Sequence, residues 1–331
     1  MSSPREIPSD DLVQPFQIEP FALRGRLVRL GPAIDRILSQ HAYPEPVAAM
    51  LGEAITLAVL LAGALKYDGV FTLQTKGDGP IRLMVADVST DGAVRGYAQY
   101  DAAKLDDATK LVDAAKLDDA AGKAASTSLS VPRLLGAGYI AFTVDQGEDT
   151  DRYQGIVELL GDTLADCAQH YFRQSEQIQA AIKLAVARIG TARIGTDPTG
   201  PEPAWRAGGL MLQRVPPEGG YGVIADDVED GWRRTMVLMS SATAGELVDP
   251  GLSPHRLLFR LFHEDGVRVY DTHPLEARCR CSRERIETIL RAFPADEIDD
   301  MAKDRVTTVT CEFCSTHYTF DADEIGRLAP A

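Results

Sequence analysis

Four of the chain's five cysteines fall in its last fifth, as Cys279-Arg280-Cys281 and Cys311-Glu312-Phe313-Cys314. The spacing is C-x-C, 29 residues, then C-x-x-C. Two close thiol pairs separated by a short module's worth of chain read as a Cys₄ zinc site, in which four thiolates complete a tetrahedral shell. The first pair is unusual. Common ribbons and knuckles use C-x-x-C twice, with a turn that aims two amides at one sulfur, and a single intervening residue leaves no room for that turn. His317, three residues after Cys314, competes as a ligand, but a Cys₃His site would leave one thiolate unexplained.

Other chemistries find little support. Cys167 shares an apolar helical stripe with Leu160, Leu164, Ala168 and Tyr171, and reads as packing rather than as a nucleophile. The six histidines show no H-E-x-x-H spacing, and no Ser/His/Asp or paired-carboxylate arrangement stands out. Gly136-Ala137-Gly138-Tyr139-Ile140-Ala141 imitates a dinucleotide fingerprint, but a strand pattern follows it where a helix must open. Lys76-Gly77-Asp78-Gly79-Pro80 lacks phosphate-loop spacing and reads as a hairpin turn. Four thiolates close the zinc shell, which argues against a catalytic zinc and, with the rest, for a protein that is not an enzyme.

The elements that must position these thiols come next. With 331 residues and 45% hydrophobic content, the chain can bury a sizeable core in more than one domain. Its formal net charge of −15 argues against a general nucleic-acid binder, which needs a basic face. No apolar signal core follows Met1, so clustered thiols point to a reducing cytoplasm. Residues 47–65 are nearly all apolar, but they contain Glu53, follow Pro44 and Pro46, and run into Lys66-Tyr67-Asp68-Gly69. A buried core helix is predicted there, not a membrane span.

Strands are predicted over 21–30, 70–76, 81–87, 93–100, 138–145, 153–159 and 209–215, and helices over 34–41, 44–67 and 163–187, the last with Asp162 as N-cap. Strands following strands imply an α+β fold: a mostly antiparallel sheet with helices over one face in a large N-terminal domain. The predicted boundaries are a core domain at 1–222, a helical linker at 223–276 broken by Pro250 and Pro254, and a small zinc-binding module at 277–331. One segment stands apart. Asp101-Ala-Ala-Lys-Leu-Asp-Asp-Ala recurs at 113–120, and 101–126 is predicted to be an exposed insertion with almost nothing to bury.

Beyond the cysteines, the chain resembles the heat-shock protein 33 family, the redox-regulated holdase chaperones of bacteria. The resemblance runs over nearly its whole length. It is carried by His41-Ala-Tyr-Pro-Glu-Pro-Val, Gln74-Thr-Lys-Gly-Asp-Gly-Pro, Arg152-Tyr-Gln-Gly-Ile-Val, Gly161-Asp-Thr-Leu-Ala, Tyr171-Phe-Arg-Gln-Ser-Glu-Gln, Gly208-Gly-Leu-Met-Leu-Gln, Cys279-Arg-Cys-Ser-Arg-Glu-Arg and Cys311-Glu-Phe-Cys-Ser-Thr-His-Tyr. The 101–125 repeat departs from the family, where this connection is shorter; the doubled Arg188-Ile-Gly-Thr and Arg193-Ile-Gly-Thr looks like another extension.

The resemblance implies that Cys279, Cys281, Cys311 and Cys314 hold zinc in a reduced, inactive form. It further implies that oxidation pairs Cys279 with Cys281 and Cys311 with Cys314, so that zinc leaves and the module and linker unfold. Exposed apolar surface then captures unfolding client proteins, without ATP, in a dimeric active form. On the cysteines alone two rivals stand: a permanent structural zinc, and a zinc-ribbon nucleic-acid or regulatory module using Arg278, Arg280, Arg283, Arg285 and Arg291. The acidic run from Asp296 to Asp300 weighs against the second.

Overall fold

The computed structural model describes residues 10–118, 130–147, 150, 152–176, 178–190, 203–214, 225–303 and 306–328. They divide into two compact units, Met1–Ala277 and Arg278–Ala331. The first unit runs β1 (Leu12–Ile18), β2 (Leu23–Leu30), α1 (Pro32–Ser39), α2 (Glu45–Ala62), β3 (Val70–Gly77), β4 (Ile81–Ser89), β5 (Ala93–Tyr100), α3 (Ala102–Asp118), α4 (Val131–Leu134), β6 (Gly138–Asp145) and β7 (Tyr153–Glu158). It continues with α5 (Leu164–Tyr171), β8 (Ala180–Ile189), β9 (Ala204–Arg214), α6 (Ala225–Ser240), α7 (Ala244–Val248), α8 (Pro254–Phe262), β10 (Val267–Val269), β11 (His273–Pro274) and β12 (Glu276–Ala277).

The α+β class stands, with two six-stranded sheets where a single sheet was expected. One is ordered β10-β1-β2-β9-β8, with β11 also on β1; the other is β12-β5-β4-β3-β6-β7. Pairing is antiparallel except for β12 on β5. Helix α2 packs against strands of both sheets. Among the described residues it is the one helix long and apolar enough to cross a membrane, and 78% of that stretch is buried inside the protein. Glycines let it seat closely. A Cβ on Gly96 would come within 2.8 Å of Ile55, and one on Gly209 within 2.8 Å of Thr56 and Leu60.

The other face of the first sheet is covered as well. In β2, Val28 and Leu30 join the core around α2, while Leu23 and Leu27 join a second cluster with Leu247, Leu257, Leu258 and Phe262 from α7 and α8. Phe16 of β1 stacks on Phe262 with ring centroids 5.7 Å apart. The end of the stretch predicted to be helical, from Val267 to Ala277, returns to the two sheets as β10, β11 and β12.

Three local expectations are corrected. The helix predicted over 163–187 ends at Tyr171, passes through a π-helical turn at Phe172–Glu176, and gives way to β8. Ala181 and Ala185 pack on one face of β8, and Ile182, Leu184 and Val186 on the other. A strand apolar on both faces loses its period of two, so its Ala-rich run imitates a helix. The helix begins with a Thr163–Asp166 capping box, so Thr163 and not Asp162 is the N-cap. Strand β1 was not expected at all; Pro15 within a run demotes it as a strand in sequence, and here it lies in β1 between β2 and the short β10 and β11. The repeat segment also begins as packed structure. Leu105 is buried in the core, Asp101 pairs with Arg82 at 2.5 Å and accepts from the amides of Ala103 and Lys104. Its part from 119 on, and Arg193-Ile-Gly-Thr, lie outside the described residues.

Candidate metal centre

The second unit is small. It comprises α9 (Arg283–Leu290), α10 (Ala295–Ala302), β13 (Val306–Thr310), β14 (His317–Asp321) and α11 (Ala322–Gly326). Its buried apolar core is Ile286, Leu290, Ile298, Phe320, Ile325 and Leu328. Arg283 fixes one side of that core: its guanidinium lies 4.2 Å over the Phe320 ring, donates to the Thr319 carbonyl at 2.8 Å and pairs with Glu324 at 2.7 Å.

Each thiol pair is placed by local hydrogen bonds. Cys279 and Cys281 immediately precede Ser282, whose side chain caps α9 by accepting from the Arg285 amide. Arg285 reaches back to the Arg280 carbonyl at 2.7 Å, pinning the residue between the two sulfurs. Cys311 and Cys314 occupy the β13–β14 connection. There the Ser315 amide donates to the Cys311 carbonyl at 2.8 Å and the Cys311 amide to the Thr316 carbonyl at 2.9 Å. Ser315 takes a left-handed φ of 54°, which tightens the turn around the sulfurs.

All four half-buried sulfurs lie within 4.8 Å of one another. Cys279 Sγ lies 3.7 Å from Cys311 Sγ, and Cys281 Sγ 3.4 Å from Cys314 Sγ. Four sulfurs at about 2.3 Å from a tetrahedral zinc are about 3.8 Å apart, so these two separations are within a few tenths of an ångström of those in a zinc shell. His317 is turned elsewhere: its Nδ1 is 2.8 Å from Thr310 Oγ1. The cluster can hold a metal ion, and its soft, all-thiol donors suit zinc.

Sequence reasoning missed one neighbour, Tyr318, whose hydroxyl donates to Cys281 Sγ at 3.1 Å. Only the hairpin register (Val309 opposite Tyr318) brings this ring to the site. The hydrogen bond to Cys281 raises the Tyr318 hydroxyl above its usual range. Burial pushes the Cys281 thiol up to about 12 and raises Cys311 too. Burial also opposes ionisation of Cys314, but hydrogen bonds from Thr316 and the neighbouring thiols prevail and draw it down to about 7. One sulfur in the cluster is thus ready to ionise near neutrality, and a bound cation would have to displace protons from Cys281 and Cys311.

Cys167 is a different thiol altogether. It is fully buried in α5, and burial pushes it up to about 11.

The likeness to known proteins covers both units. The Hsp33 protein family model matches residues 11–321. The chain belongs to the Hsp33 family. The "33 kDa chaperonin" of Caulobacter vibrioides is 42% identical over 316 residues, 94% of this chain and 95% of the relative. That of Escherichia coli is 32% identical over 323 residues, 97% and 96% of the two chains. Among solved structures, the 33 kDa chaperonin of Thermotoga maritima matches with a TM-score of 0.74 over 96% of this chain and 97% of that one, at 22% identity. The Hsp33 fold therefore extends through the first unit and the thiol-bearing second unit alike.

Proposed function

We propose that this chain is a redox-regulated, ATP-independent holdase that binds unfolding proteins under oxidative stress. The observation that carries the reading is the four-sulfur cluster, in a small unit with a thin core, on a chain of a chaperone family. Cys279, Cys281, Cys311 and Cys314 would hold the zinc. When bound, zinc keeps the four sulfurs as thiolates and supplies cohesion to the unit, on the order of 10–16 kcal/mol of apparent binding energy for a structural site. A core of six buried side chains among the described residues provides little to replace it.

The proposed switch is the oxidation of Cys279 with Cys281 and of Cys311 with Cys314. In each pair two thiolates give up two electrons and one S–S bond forms. Those two electrons, with two protons from solvent, reduce one peroxide molecule to two waters. Two close sulfur contacts in the resting cluster run across the pairs, 279 to 311 and 281 to 314. An S–S bond of about 2.0 Å within each pair is far shorter than the separations in a four-sulfur shell, so forming both dismantles the cluster. Each new disulfide closes a tiny loop, which restrains the unfolded chain only slightly and cannot hold the unit together.

Residues 223–276 would act as the linker that loosens with the 277–331 module and uncovers the sheet beneath. Helices α6, α7 and α8 cover apolar side chains of β1, β2, β8 and β9, which is surface a client could use. We assign the protein to the cytoplasm, without membrane or nucleic-acid partners, and as a homodimer when active. Part of the basic cluster of the rival reading is neutralised, which weighs against nucleic acid: Arg283 is paired with Glu324 and Arg291 with Glu287.

The test is one preparation compared reduced and oxidised. Peroxide with mild heat is expected to release zinc, to make residues from about 230 onward protease-sensitive while α2 stays protected, and to switch on suppression of client aggregation. All three should reverse with reductant and zinc. Zinc release that leaves aggregation unchanged would make the site a permanent structural one.

A further inference from the structure

Among the described residues Arg29 is the largest of the fully buried side chains, only 1% exposed, next to the end of β2. Its neighbours in the sheet are Leu12 on β1 and Gly208 on β9. Strand alternation puts it on the face of Leu23 and Leu27, the face that α7 and α8 cover. A buried guanidinium needs acceptors, and those that the two terminal nitrogens of Arg29 find lie on the covering segment, while its Nε has none among the described residues. It donates to the carbonyls of Asp249 at 2.5 Å, Glu246 at 2.8 Å and Leu252 at 2.9 Å. Among the described residues, none of its hydrogen bonds goes to its own sheet.

The same segment is gripped twice more. Arg206 on β9, itself paired with Asp10, donates through Nε to the Val248 carbonyl at 2.9 Å. Gly208 lets the backbone come close: a Cβ there would lie 2.1 Å from the Leu247 carbonyl oxygen. The carbonyls of residues 246, 248, 249 and 252 belong to the end of α7 and the turn after it, where a helix has no partners of its own. Two arginines of the sheet supply them. Burial lowers the Arg29 pKa from its ordinary value, so the docked charge is held at a cost that water would relieve on release.

We propose that the Arg29 guanidinium is a latch that keeps α7 docked on the sheet in the resting protein, so that cutting it uncovers the apolar face while the four cysteines still hold their metal. As a regulatory device this rests on the holdase reading; as a structural latch it does not. An apolar contact of equal area would only strengthen as it dried. A polar latch made of one charge and three carbonyls can open readily, because both sides regain water at once.

The experiment uses the full chain, reduced and zinc-loaded, as wild type, Arg29→Met and Arg29→Lys. Three quantities are measured on each: amide hydrogen exchange over 244–262 and over α2, zinc per chain, and suppression of aggregation of a heat-unfolding model enzyme. Met keeps the bulk and strands three carbonyls; Lys keeps the charge and loses the fork. The expected result for Arg29→Met is exchange over 244–262 faster by about 100-fold, α2 protected, zinc retained, and aggregation suppressed without oxidant. Arg29→Lys should fall between it and wild type. Wild-type exchange over 244–262 in the Met variant overturns the latch. If the Met variant also loses α2 protection, the Lys variant decides in the same way: intermediate exchange upholds the latch and unchanged exchange overturns it. Oxidised wild type serves as the control for the holdase reading. If it fails to suppress aggregation while the Arg29 variants still loosen 244–262, that reading falls and the structural latch stands.

Discussion

Gly208→Ala tests how tightly the covering helices are seated, and it can be worked through from distances. The new Cβ would meet the Leu247 carbonyl oxygen at 2.1 Å, its carbonyl carbon at 2.7 Å and its Cβ at 3.1 Å. Two of these are backbone atoms and cannot rotate away. Ordinary contact begins near 3.4 Å, so α7 must rise by more than about 1 Å over β9. Arg29 is the paired neighbour of Gly208 and bonds the same segment at 2.5–2.9 Å. A rise of that size stretches those bonds past useful range.

Overpacking of this kind costs about 1–3 kcal/mol, which raises the population of the undocked segment by about 5- to 150-fold. The assay is hydrogen exchange of the Leu247 and Val248 amides in the reduced protein, with α2 as internal reference. Gly209→Ala is the contrast. Its Cβ points to the opposite face and meets Thr56 and Leu60 of α2 at 2.8 Å, so it should lower the thermal midpoint of the whole first unit without loosening α7 selectively. Unchanged exchange at Leu247 and Val248 in Gly208→Ala, with α2 intact, would refute the reasoning about close seating.

Cys311→Ser should abolish stoichiometric zinc binding and leave the amides of 278–328 exchanging freely, while α2 remains protected; metal analysis with exchange checks both. Burial pushes the Glu53 carboxyl up to about 7 from an ordinary 4.5, so between those values the native chain holds a proton that the unfolded chain has lost. Stability from this group is therefore lost as pH rises through that window and stays flat above it. Glu53→Gln should remove the slope and gain on the order of 1–3 kcal/mol at pH 8, read from urea midpoints across pH. Leu105→Ala should cost about 2–4 kcal/mol in thermal or urea unfolding, because the first turn of α3 is packed into the core. Cys167→Ser should keep the wild-type oxidation response, since that buried thiol is poorly ionised.

Much of the centre was legible in the chain alone. Two thiol pairs at C-x-C and C-x-x-C spacing specify a four-sulfur cluster, because each pair is local and its two sulfurs are held close by the chain itself. The apolar run from Val47 to Leu65 specifies a buried helix, observed as Glu45–Ala62, and the β-rich runs from Val70 to Glu158 specify antiparallel strands, since turn signals sit between several of them. The tertiary structure decided what depends on partners distant in sequence. Strand β8 reads as helix until both of its faces are seen to be covered, because only the second face hides its alternation. Tyr318 reaches Cys281 only through the hairpin register. Arg29 reads as an ordinary polar residue in a strand. It becomes a buried donor to a segment more than two hundred residues away only when α7 folds over the sheet, since no local rule says which carbonyls a guanidinium will meet.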